Sequence, residues 1–304
     1  MHTFAAPRTR RFLTLALCLA AGFLPCLSWA GPVLDRIRAN GEITLAHRES
    51  SVPFSYVDKE SLKPVGYALD ICRRLAEAVS RQLALPKLNT RYLLVTPANR
   101  MAVIEEGQAD LECGSTTNNA ERREKVAFTI PHYITGARFL VQADMPATQI
   151  SDFRGKRVVS TKGTTPLKAI IRANTDHLLG MQILEAPDHA KAVEMVERGE
   201  ADAFVMDDVL LYGLASARPD PSKLKVVGKF LTIEPLAIVL NKNDPEFKRI
   251  VDNEMKRLIV SREAHALYER WFMQPIPPHS KPLNLPMNFL LRDFWKYPTD
   301  QVPG

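Results

Sequence analysis

Ile104-Glu-Glu-Gly-Gln-Ala-Asp-Leu111 is echoed 92 residues further on by Val196-Glu-Arg-Gly-Glu-Ala-Asp-Ala203, with Glu, Gly, Ala and Asp at matched places. In each copy a helical pattern stops at a glycine, Gly107 or Gly199, and the chain enters a strand through Ala-Asp. The spacing exceeds the period of a solenoid repeat, about 20–50 residues, and suits two similar lobes. The flanks of the first copy agree. A short helix around 35–38 is stopped by Asn40-Gly41, and a strand follows at 42–46. After Gly66, Leu69, Cys72, Leu75, Ala76, Val79 and Leu83 recur at helical spacing. A strand at 91–95 and a helix at 100–106 lead into the echo, and a strand at 110–113 leaves it.

The second copy has the same surroundings. Strand 156–160 precedes a helix with Leu167, Ile170 and Ile171 on one face; strand 181–184, helix 190–198 and strand 203–206 follow. Strands alternating with helices predict two parallel-sheet α/β units. Helices at 245–260 and 262–273 come next. The last thirty residues carry seven prolines, which predicts an extended strap packed by Phe289, Phe294 and Trp295.

The 304 residues are 46% hydrophobic and 24% charged, an ordinary globular balance that argues against disorder. A mean hydropathy of −0.13 excludes a multi-span membrane protein. Arg8, Arg10 and Arg11, the uncharged stretch 12–24, then Pro25 and Ser28-Trp29-Ala30 form the three parts of a secretory leader, with cleavage expected after Ala30. An uncleaved anchor over 12–30 is the alternative, and Pro25 interrupts it. The ordinary secretory route is expected over twin-arginine export. Removing 1–30 takes away three Arg and no acid, leaving 37 basic residues against 34 acidic, a formal +3. No basic run or stripe suggests nucleic acid. Two cysteines remain. Cys72 falls on an apolar helix face and Cys113 at a strand end, which reads as two buried free thiols, with a bridge as the alternative.

Several segments stand in a telling series. They are Gly66-Tyr-Ala-Leu-Asp70-Ile71, Ser115-Thr-Thr117-Asn-Asn-Ala-Glu121-Arg122, Phe128-Thr-Ile-Pro131-His-Tyr133, Phe153-Arg-Gly155-Lys156, Gly163-Thr164-Thr165 and Met206-Asp207-Asp208. The series resembles the polar amino-acid-binding proteins of bacterial ABC importers over nearly all of 33–295. The likeness is to the glutamate/aspartate branch, through 47–56 (His-Arg-Glu-Ser-Ser-Val-Pro-Phe-Ser-Tyr), 112–119 (Glu-Cys-Gly-Ser-Thr-Thr-Asn-Asn), Asp188-His189 and Pro275-Ile-Pro-Pro278. It departs from that branch at Pro97 and at Pro235-Leu236, where polar or aromatic residues are common.

The resemblance implies a two-lobe periplasmic binding-protein fold, each lobe a mostly parallel sheet flanked by helices. Lobe one would be 31–137 with 239–304, and lobe two 138–238. The crossings would lie near 137–142 and 236–242. It also implies capture of L-glutamate or L-aspartate by a monomer that closes on one ligand and docks on a membrane permease, with no cofactor.

A free amino acid brings an α-carboxylate and an α-ammonium, and burying either without a partner costs several kcal/mol, order of magnitude. By family position Arg122 holds the α-carboxylate through two parallel N–H bonds, with Thr117 adding donors. Asp207 faces the ammonium with Ser115 as a neutral acceptor. Thr164 and Thr165 open a helix after a strand, where backbone N–H groups attract anions and where an ordinary cap is the alternative. Arg48, Arg100 and His189 occupy positions that surround a side-chain carboxylate. Alone, His189 reads as a surface loop histidine and Arg100 as a surface charge at a helix N-terminus; together the three form an electropositive pocket that repels lysine or arginine.

The sequence offers little to an enzyme. It has no Gly-x-Ser-x-Gly elbow, no phosphate-cradling glycine loop, no Cys-x-x-Cys and no metal-ligand spacing among its seven His. The alternatives are a same-fold dehydratase, for which Glu49 and Glu112 are the nearby carboxylates, and a receptor that senses an amino acid without transporting it.

Overall fold

The computed structural model describes residues 1–3, 31–277 and 281–302. All but the first three residues of the expected leader lie outside that range. Among the described residues no helix is long and apolar enough to cross a membrane.

The echo is a repeated structural joint. Gly107 and Gly199 both take the left-handed conformation, φ +72° and +68°, just past the helices Arg100–Glu105 and His189–Glu197. Asp110 accepts from the Thr44 N–H at 2.7 Å and returns its own N–H to the Thr44 carbonyl at 2.9 Å. Asp202 does the same with Arg157, at 2.8 Å both ways. Each aspartate thus clamps the neighbouring parallel strand at the same point of its own sheet.

Two mixed sheets result. In the first, parallel strands Asn89–Leu94, Glu42–His47 and Leu111–Thr117 lie side by side, and Glu234–Leu240 joins antiparallel. In the second, Gln182–Ala186, Arg157–Thr161 and Ala203–Asp207 are parallel, and Ala137–Gln142 then Leu224–Val227 complete it antiparallel. Helix Tyr67–Gln82 buries Leu69, Cys72, Leu75, Ala76 and Val79, the spacing read from sequence. Each of its fully buried Leu or Val side chains contributes about 1.5–3 kcal/mol. A second core stacks Phe139 on Phe153, centroids 4.3 Å apart, beneath the second sheet.

Four expectations change. The stretches expected to cross between lobes are strands within one sheet: Ala137–Gln142 pairs in the second and Glu234–Leu240 in the first. The chain passes between sheets at 135–137 and returns at 228–234. The crossing expected at 236–242 rests on family resemblance; the continuous apolar run Leu236–Leu240 is instead a buried strand paired on both sides. Ile171 is 45% exposed although it stands four residues from Leu167: the buried face of this helix runs through Pro166, Leu167 and Ile170, and Ile171 lies about 100° round from Ile170. The proline-rich end forms a short helix, Phe289–Phe294, capped by Asn288; Leu291 and Trp295 are buried there and Phe289 is exposed.

The fourth change concerns the cysteines. Cys72 and Cys113 form a disulfide that ties helix Tyr67–Gln82 to strand Leu111–Thr117. For a sequence separation of 41 residues, loop-closure entropy puts its contribution at about 4 kcal/mol. Full reduction should lower the melting midpoint by roughly 10 °C. Calorimetry with and without reductant checks this; an unchanged midpoint with both thiols demonstrably free would contradict it.

Candidate functional site

All six parallel strands, three from each sheet, send their C-terminal ends to one place. This is where open α/β sheets bind ligands, because the loops there are free of sheet pairing. His47-Arg48, Arg100 and Ser115–Thr117 come from the first sheet; Gly163–Thr165, His189 and Asp207 come from the second. Every candidate read from sequence is therefore on one surface between the sheets.

Arg48 is 1% exposed and Arg100 3%. Nε and Nη1 of Arg48 and Nε of Arg100 are buried without a hydrogen-bond partner. Burial, and next the Arg100 charge, push Arg48 down to about 9; burial lowers Arg100 also, while Glu112 and Asp207 oppose it. Both remain cationic at neutral pH. Two guanidiniums with unspent donors, sealed from water, form a strong demand for a carboxylate.

Arg122 sits on the short helix Ala120–Arg123, whose cap Asn119 accepts from the Arg122 N–H at 2.9 Å. Its Nη1 donates to the Thr117 carbonyl at 2.9 Å and its Nη2 to the Gly163 carbonyl at 3.3 Å, across the gap between sheets. Three of its five N–H donors remain. Burial, then Arg100, push it down to about 10. Gly163 has φ +79°, and a Cβ there would stand 2.7 Å from Ala98 Cα, so only glycine lets the two loops meet.

His189 is buried, with Nδ1 2.8 Å from Thr161 Oγ1 and Nε2 unpartnered. Burial, then Arg48 and Arg100, hold it well below the usual imidazole range. The pocket's positive charge therefore comes from the arginines. Asp207 is buried with Oδ1 unpartnered; burial, then Glu234 and Asp208, raise it well above the usual carboxylate range. Asp208 turns away and accepts from Thr135 Oγ1 at 2.6 Å. Ser115 lies buried on strand Leu111–Thr117. Thr164 caps helix Thr165–Asp176, its Oγ1 accepting from the Leu167 N–H at 3.3 Å and donating to the Thr161 carbonyl at 2.6 Å.

Thr117 and Thr165 meet across the gap between the sheets. Their hydroxyls lie 3.0 Å apart, and Thr165 Oγ1 donates to Glu234 Oε2 at 2.7 Å. Their side chains are engaged with the protein, which leaves backbone N–H groups as the donors these positions offer.

Two acids outside the expected binding set belong to this cluster: Glu112, which the sequence reading names only as a nearby carboxylate, and Glu234, which it does not name. Glu112 is fully buried, accepts from Thr116 Oγ1 at 2.6 Å, and its charge acts on all three arginines. Its place three residues before Ser115 was the available signal. Glu234 is 2% exposed at the returning crossing, where no motif marks it.

The pattern of bacterial extracellular solute-binding proteins, family 3, matches residues 43–274. The chain belongs to that family. Among family relatives, the L-glutamate/L-aspartate-binding protein of Pseudomonas aeruginosa is 40% identical over 88% of this chain and 89% of its own. The glutamate/aspartate import solute-binding protein of Escherichia coli K12 is 36% identical over 95% and 96%. A solved ancestral amino acid-binding protein, described as a precursor of cyclohexadienyl dehydratase, superposes with a TM-score of 0.67 at 26% identity, over 78% of this chain and 98% of that one. This family 3 protein thus has the two-lobe amino-acid-binding fold expected from its sequence.

Proposed function

We propose that this solute-binding protein captures L-glutamate or L-aspartate in the periplasm and delivers it to the permease of an ABC importer. The observation that carries the reading is the pair of sealed guanidiniums, Arg48 and Arg100, with donors unspent. In this reading they take the ligand's side-chain carboxylate. His189 contributes a neutral N–H when Thr161 donates to its Nδ1. Arg122 takes the α-carboxylate, assisted by N–H groups at the start of helix Thr165–Asp176. Asp207 and Ser115 take the ammonium. The α-carboxylate partner and the ammonium partner lie on different sheets, so the ligand favours closure of the lobes about 135–137 and 228–234. The protein acts as a monomer after removal of its leader.

We assign it no reaction. Glu49 is exposed, and Glu112 accepts from Thr116 Oγ1 while its charge acts on Arg48, Arg100 and Arg122.

A thermal-shift panel of twenty amino acids tests the reading. At a hundredfold excess over Kd, glutamate and aspartate should raise the midpoint by about 5–10 °C. Lysine and arginine should leave it unmoved. A lysine shift equal to that of glutamate would overturn the assignment.

A further inference from the structure

We propose that Thr117, Thr165 and Glu234 form a latch between the lobes, with Glu234 as a positioning residue that holds the closed arrangement and slows ligand release. A hydroxyl has one proton. Thr165 gives its proton to Glu234 Oε2 at 2.7 Å, so the 3.0 Å contact with Thr117 is a bond donated by Thr117 to Thr165. The chain runs Thr117 to Thr165 to Glu234 and ends on a carboxylate that is 2% exposed.

Its members come from three segments. Thr117 ends a strand of the first sheet and Glu234 begins another, at the point where the chain returns from the second sheet. Thr165 opens the helix after a parallel strand of the second sheet. The helix start is therefore gripped between two first-sheet strands beside a crossing. Opening the lobes must break the grip and leave a buried carboxylate without its donor, which is costly. An ion pair spans the same gap, Lys168 with Glu121 at 2.6 Å, but both side chains are about two-thirds exposed and water replaces it at little cost.

Thr165→Val keeps the shape and removes both hydrogen bonds; Glu234→Gln keeps an acceptor and removes the charge. Small-angle scattering of the protein without amino acid should show a larger radius of gyration for both variants than for the wild type. This arm needs no ligand and stands whether or not glutamate binds. The second arm rests on the proposed function: stopped-flow release of glutamate should quicken about tenfold or more in Thr165→Val, with association within threefold. Glu234→Gln should quicken release alone and add nothing in the Thr165→Val background, because the two act as one unit. Lys168→Met should change release by less than twofold. Unchanged radii and release rates within twofold in both variants would overturn the latch. Absence of glutamate binding by the wild type would overturn the ligand assignment and leave the scattering result to decide the latch.

Discussion

Arg122→Ala should weaken glutamate binding by about 3–5 kcal/mol, roughly two hundred- to five-thousandfold. The size follows from what is left behind. The α-carboxylate would enter a site closed between two sheets with its fork-shaped partner gone, and an uncompensated buried charge costs far more than a lost surface pair. The variant also loses the bonds from Arg122 to the carbonyls of Thr117 and Gly163. Those are bonds to neutral acceptors, each about 0.5–1.5 kcal/mol, too small to account for the whole effect. Arg122→Lys separates charge from geometry, since an ammonium restores the charge without two parallel donors. Titration calorimetry decides: less than a threefold change in Arg122→Ala would remove the residue from this role.

Arg100→Met should abolish the preference for glutamate over glutamine. A site whose buried charged groups demand a matching partner typically rejects an analogue lacking it by about 10⁴-fold. Met has similar length and fills the space, but leaves the ligand carboxylate facing thioether instead of a guanidinium. Arg48 remains and alone carries the charge of a site built around two guanidiniums. Competition of glutamine against labelled glutamate measures the ratio. If the ratio in the variant equals that of the wild type, the side-chain carboxylate lies elsewhere.

The sequence made the joints of the fold legible where chemistry and geometry coincide. Gly107 and Gly199 could be paired because a helix stop needs the left-handed conformation and the following Asp needs a strand to clamp. The ends of the parallel strands were legible too: Asp207 directly follows the apolar run Ala203–Met206, and Gly163-Thr164-Thr165 marks a helix start after the strand that holds Val158 and Val159. Antiparallel additions were not. Leu224–Val227 and Glu234–Leu240 owe their strand state to partners far along the chain, which local periodicity does not register. The lobe crossings were misplaced with them.

At the site, the residue types were readable and their states were not. Arg48 and Arg100 could be named by position, but burial to 1% and 3% depends on both sheets meeting above them. His189 could be named by position, but its depth and the two arginines beside it, which hold the imidazole well below its usual range, come only with the fold. Thr165 could be read as a helix start; that its hydroxyl meets Glu234, 69 positions away with no motif around it, could not. Cys72 and Cys113 likewise became a bridge through the packing of a helix on a strand.

A crystal structure of the protein grown with L-glutamate tests the central claim most directly. The side-chain carboxylate should lie within hydrogen-bond distance of both Arg48 and Arg100, with the α-carboxylate on Arg122 and the ammonium on Asp207. A bound amino acid whose side chain meets neither Arg48 nor Arg100, or a cleft that stays empty at saturating glutamate, would contradict it.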